Sequence, residues 1–137
     1  MNFFFDKIIK SALLNPKKLF LIDGFGAMLS AFLLGVIFIE FHELIGLPKT
    51  ALYFLASLPI LFVFYNGYCY LKATLIPRCL IVIAILNFIY SLISLCTAFF
   101  HYKTLTILGW IYLLIEIIVI CTLAIFELKV ASLLKQF

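Results

Sequence analysis

The sequence predicts an all-α membrane protein: a four-transmembrane-helix, up-down antiparallel bundle preceded by a short amphipathic interfacial helix. Three observations predict it. The 137-residue chain is 67% hydrophobic and only 12% charged, with a mean hydropathy of +1.30, where soluble domains are roughly half apolar and a quarter charged. Its apolar residues gather into four runs, about 19–41, 51–71, 79–100 and 105–126, each matching the roughly 20 residues a helix needs to cross a hydrocarbon core. The connections between runs are short, which forces successive helices to be antiparallel neighbours, and no segment outside the runs can bury a core of its own. Residues 19–137 therefore form one transmembrane domain, behind an N-terminal segment of residues 1–18.

In that segment Phe4, Phe5, Ile8, Ile9, Ala12 and Leu13 alternate with Asp6, Lys7, Lys10 and Ser11 at helical spacing. Such a helix lies in the interface, its apolar face in the inner leaflet and its lysines on anionic headgroups. A signal peptide fits less well, because the first long apolar run starts only at Leu19. Asn15 and Pro16 read as the N-cap and first helical residue of helix 1.

Helix 1 carries Ala27, Ala31 and Gly35 at intervals of four. Small residues at that spacing let two backbones approach closely where lipid removes the hydrophobic driving force. The partner they fit is another helix of the chain, a second copy, or another membrane protein. Helix 2 contains Pro59, which removes a backbone hydrogen bond and bends the helix, with Ser57 placed to satisfy the freed group. Its inner end carries Tyr65, Tyr68 and Tyr70, as an interfacial aromatic belt would. Helix 3 has the clearest polar stripe, Asn87, Ser91, Ser94, Ala98 and His101, on one face that should look into the bundle.

Orientation follows from positive charge, because Lys and Arg are retained in the cytoplasm. Lys7, Lys10, Lys17, Lys18, Lys72, Arg78, Lys129 and Lys135 fall in alternate segments that share one side, against only Lys49 and Lys103 on the other. Both termini are therefore expected to be cytoplasmic, with the bacterial cytoplasmic membrane as the location. The net charge of +4 is then a topology signal and implies no nucleic-acid partner; the partners expected are membrane lipids. Cys69, Cys79, Cys96 and Cys121 form no C-x-x-C pair and no disulfide framework, and read as small packing residues. Quinone-linked disulfide-forming enzymes also have four helices, but the paired cysteines they require are missing here.

Glu116 is the strongest single residue. It lies about 16 Å from either end of its apolar run, and a carboxylate at that depth costs a few kcal/mol on insertion scales. It should be protonated, paired, or facing water inside the protein. Matching depths across helices puts Ser30, Asn87, Ser91 and Glu116 in one layer near the bilayer centre, with Asn87 and Ser91 as the expected partners of Glu116. Asp23 lies only about 6 Å from the inner end of its run. It is expected to pair at the interface with Lys17, Lys18, Lys72 or Arg78, with Tyr68 near enough to donate a hydrogen bond. Glu127 falls on the Glu116 face eleven residues later and is assigned to the inner interface with Lys129. At the outer mouth Glu40, His42, Glu43 and His101 are possible metal ligands, although their spacing matches no metal motif.

No Gly-rich phosphate loop or internal repeat is present, and the sequence names no cofactor. Three functions remain. The first in order is a non-enzymatic membrane subunit or partner protein, with Glu116 as an internal fastener hydrogen-bonded to the helix 3 stripe. The second is a small proton-coupled carrier or ion pathway built on Glu116. In size and helix count the chain resembles the small multidrug transporters, whose four-helix protomers use a membrane-embedded glutamate. Theirs is on the first helix, whereas Glu116 is on the fourth, and no motif supports the family. The third is a lipid or isoprenoid enzyme using Glu116 or Asp23 as acid and tyrosines to stabilise a cation.

Overall fold

A long apolar segment in lipid has no water to satisfy its peptide groups, so it closes its own hydrogen bonds as helix. The computed structural model describes residues 3–72 and 76–134, and among the described residues every regular element is helical. Four helices are long and apolar enough to cross a membrane: Lys17–Glu40, Lys49–Leu71, Pro77–Phe100 and Ile107–Leu134, here the first to fourth spans. A shorter helix, Phe3–Leu14, precedes them. Residues 1–2 and 73–75, the side chains of Phe4, Phe5 and Ala12, and the tail with Lys135 lie outside the described residues.

The first three spans follow the apolar runs closely. The fourth does not: it continues well past Phe126 to Leu134. Glu127 and Lys129 interrupt the apolar run without interrupting the helix, because Glu127, Val130 and Ala131 are fully buried. At the start of the first span Pro16 holds the capping position, and Asn15 offers its backbone carbonyl to the Lys18 N–H at 3.1 Å; no side chain caps this end.

The small residues of the first span are used against the second. A Cβ added at Gly24 would meet the Asn66 Cβ at 3.6 Å, and one at Gly35 would meet the Ala56 Cβ at 3.2 Å. Ala27 is buried between them. Around Gly35 the helix widens into a π-helical turn, Leu33–Ile37, a distortion that re-aims the following residues. The second span stays helical through the buried Pro59. Ser57 donates to the Phe54 carbonyl at 2.7 Å, not to the Leu55 carbonyl whose usual partner Pro59 removes.

Packing divides the spans into two pairs, first with second and third with fourth, while the N-terminal helix rests on the first and fourth. Two apolar clusters join the pairs. One contains Leu19, Phe20, Cys69, Leu80, Val130 and Ala131, close in sequence to Lys17, Lys72, Arg78 and Lys129. The other contains Leu34, Leu52, Leu55, Ala98, Leu105 and Leu113, at the end that carries Lys49 and Lys103. At this second end a short turn, His42–Ile45, finishes on Gly46 at φ 88°, in the left-handed region glycine favours. Thr104 Oγ1 donates to the Gly46 carbonyl at 3.0 Å, and the Thr106 N–H bonds the Ile45 carbonyl at 3.1 Å. The turn is thereby strapped to the start of the fourth span.

Candidate functional site

Between the two apolar clusters lies a polar region built from all four spans. Asp23, Asn66, Asn87, Ser91, Ser94, Glu116 and Glu127 are all buried, yet no described Lys or Arg is. Half of the chain's six acidic residues are thus inside, without a buried cation to balance them. A cavity of about 210 Å³ opens among them, lined in part by Asp23, Ser30, Asn87, Tyr90, Tyr112 and Glu116.

Glu116 sits on the buried face of the fourth span with Gly109, Leu113, Ala124 and Glu127. Its Oε1 accepts from the Tyr90 hydroxyl of the third span at 2.9 Å, and its Oε2 from the Tyr112 hydroxyl one turn away at 2.6 Å. The expected partners Asn87 and Ser91 are engaged elsewhere, the latter by the Cys121 thiol at 3.6 Å. Depth fixes a Cα level but not a bonding partner. A phenol reaches several ångströms beyond its own Cα, so Tyr90 arrives where the shorter Asn87 and Ser91 do not. Ser30 lines the same cavity.

Asn87 instead holds the other two buried acids. Its Nδ2 donates to Asp23 at 3.3 Å (Oδ2) and 3.5 Å (Oδ1), and to Glu127 Oε1 at 3.2 Å. Asp23 is therefore not an interfacial salt-bridge partner: it makes no ion pair among the described residues and is 6% exposed. Tyr68 is exposed and lies under the Lys72 ammonium at 5.8 Å, while Lys17 lies over Tyr70 at 5.5 Å. These two lysines are engaged with ring faces. Glu127 is likewise inside the protein, and its Oε2 has no partner. Asn66 Oδ1 is also buried and unpartnered, although its Nδ2 donates to the Phe62 carbonyl at 2.8 Å.

The outer residues do not converge. Among the described residues no group of three His, Cys, Asp or Glu side chains could hold a metal ion, so Glu40, His42, Glu43 and His101 are not a metal centre here. Glu40 and Glu43 are exposed, and the His101 ring packs on Phe100 with Nδ1 3.1 Å from the Thr97 carbonyl. All four cysteines are free, and Cys69 and Cys79 are buried in the apolar cluster of Leu19, Phe20 and Val130.

Tyr90 and Tyr112 are the site residues the sequence reading missed. Their signals were present: Tyr90 is three residues past Asn87, and Tyr112 is four before Glu116, so each shares a face with a polar residue. Chemically the chamber has a surplus of acceptors. Three carboxyl groups share the Asn87 and Asn66 amides, the Tyr90 and Tyr112 phenols and the Ser30 hydroxyl as donors, and Asn66 Oδ1 and Glu127 Oε2 are left without one, an arrangement open to protons or to a ligand rich in N–H donors. No protein-family profile, curated protein or solved structure matches the chain.

Proposed function

We propose that this chain is an integral protein of the bacterial cytoplasmic membrane, with an up-down antiparallel bundle and both termini inside, that works as a small proton-coupled carrier. Its chamber acids, Glu116 and Asp23, take up and release protons, and no covalent reaction is catalysed. The observation that carries this reading is a cavity lined by two buried carboxyls, Glu116 and Asp23, with a third, Glu127, joined to Asp23 through Asn87 and no buried Lys or Arg among the described residues. Intramembrane acids are costly and mark proton or substrate pathways more often than mere packing. The charge bias and the alternation of span ends in the two apolar clusters support the topology.

Proton exchange at Glu116 is compatible with its partners in either state. As a carboxylate it accepts from both phenols; as an acid it can still accept from one. Asp23 and Glu127 share one amide, so a single proton held between them relieves two like charges in a low dielectric. A second reading, the membrane subunit with Glu116 as a fastener, is favoured by one fact: both Glu116 oxygens already have donors. Infrared difference spectra between acid and alkaline pH, recorded on protein in vesicles, separate the two. The carrier reading expects a protonated-carboxyl band that changes with pH and loses one component each in Glu116→Gln and Asp23→Asn. A band indifferent to pH leaves only the fastener.

A further inference from the structure

The second and third spans follow one another in the chain, yet they belong to different packing pairs and touch only sparingly. The gap between them is open. A groove of about 680 Å³ runs along it, walled by Thr50, Ala51 and Phe54 of the second span and by Leu92, Cys96 and Phe100 of the third, with His101 at its end. The third-span wall, Leu92 to Phe100, is nine residues of helix, about 14 Å at helical rise, and half of a hydrocarbon core is about 15 Å. The groove is therefore one leaflet deep. Thr97 Oγ1 turns back onto the Ile93 carbonyl at 2.9 Å, and His101 Nδ1 lies 3.1 Å from the Thr97 carbonyl. With Phe54, Leu92 and Phe100 exposed, the wall presents hydrocarbon.

Its mouth is cationic. Lys49 precedes Thr50, and Lys103 follows His101 by two positions; both are exposed, and the Lys103 ammonium lies over the Tyr102 ring at 6.0 Å. These are the two basic residues that stand apart from the other eight. A basic residue on this side weakens the orientation signal, and both fall in the segments that bound the groove's mouth. The exposed carboxylates of the same end, Glu40 and Glu43, belong to the first span and the turn after it, and neither lines the groove.

We propose that this groove is a binding site for an anionic phospholipid of the leaflet at the Lys49 end, with acyl chain between the second and third spans and phosphate at Lys49 and Lys103. Charge complementarity selects the occupant. A zwitterionic lipid offers the same chains, but its own ammonium competes for the phosphate. A second copy of the chain seated here would set its own Lys49 and Lys103 against this pair, like charge against like. Thr50 and the His101 ring add polar contacts for phosphate or glycerol oxygens. The bound lipid fills space that the two pairs leave unpacked, and so joins them where side chains do not.

Native mass spectrometry of the full chain, released from vesicles of mixed phosphatidylglycerol and phosphatidylcholine, should retain phosphatidylglycerol and no phosphatidylcholine. Lys49→Gln combined with Lys103→Gln should weaken that retention at least about tenfold, whereas Lys17→Gln combined with Lys18→Gln should leave it intact. Leu92→Trp, which fills the groove without altering charge, should abolish it. A second reading needs only the wild-type chain: Cys96, exposed on the groove wall, should react more slowly with lipid-soluble N-ethylmaleimide in phosphatidylglycerol vesicles than in phosphatidylcholine vesicles. Equal retention of the two lipids would overturn the proposal, as would equal weakening by the two lysine pairs, unchanged retention in folded Leu92→Trp, or Cys96 reactivity blind to the headgroup. Disulfides between chains through Cys96 after mild oxidation would assign the groove to a second copy and overturn it as well.

Discussion

Among the described residues Asn87 alone donates to both Asp23 and Glu127, while the Asn66 amide lies beside Asp23 as well. Asn87→Leu removes that donor and leaves two carboxyl groups buried together. We expect a loss of about 2–3 kcal/mol in stability, measured by thermal unfolding in lipid or detergent. Glu127→Gln in the same chain should restore part of it, because the new amide can donate to Asp23 and one acid is gone. Strictly additive losses would show that the three side chains are not coupled. At this scale the sequence was half legible. The burial of Glu116 and Asn87 followed from their positions in long apolar helices and polar stripes, but their pairings did not. Depth along a helix is set by a fixed rise per residue, whereas partner choice depends on azimuth and side-chain reach, which gave Glu116 to two tyrosines and Asn87 to two acids.

The fourth span shows why element boundaries were less legible than elements. Hydropathy ends the run at Phe126, yet eleven residues make about three helical turns, so Glu127 returns to the face of Glu116 and is carried inward. Val130 and Ala131 then join Leu19 and Phe20 in one apolar cluster. The same reasoning covers Asp23: Phe20, Asp23, Ala27 and Leu34 recur at helical spacing and are all buried, which places the acid on the core face. Distance from the end of the run suggested an interface, while the helical spacing of Asp23 with Phe20, Ala27 and Leu34, which that reading left unused, matches its burial. Ala131→Leu should overpack this cluster and lower stability by about 1–3 kcal/mol. Leu128→Ala, on a more exposed position of the same helix, should cost clearly less in the same unfolding assay. Equal costs would place residues 127–131 outside the packed bundle.

For the whole molecule, the arrangement of span ends makes the charge bias a statement about sidedness. The cluster of Leu19, Cys69, Cys79 and Val130 gathers the chain near Lys17, Lys72, Arg78 and Lys129, while the cluster of Leu52, Ala98 and Leu105 gathers it near Lys49 and Lys103. Lys17, Lys18, Lys72, Arg78 and Lys129 adjoin this first end in sequence, and Lys7, Lys10 and Lys135 belong to the same alternate segments of the sequence, making eight of the ten basic residues. Basic residues flanking spans resist translocation, so that end should remain in the cytoplasm. Single cysteines replacing Lys49 or Lys103 should react with a membrane-impermeant maleimide added to intact cells. Cysteines replacing Lys72 or Lys129 should react only after the membrane is opened. The native thiols serve as the control, since Cys69 and Cys79 are buried and Cys96 lies within a span. The reverse labelling would invert the bundle, and labelling of both sets from outside would mean insertion in two orientations. On the carrier reading proposed above, the reverse labelling would also reverse the side from which protons are proposed to reach the chamber.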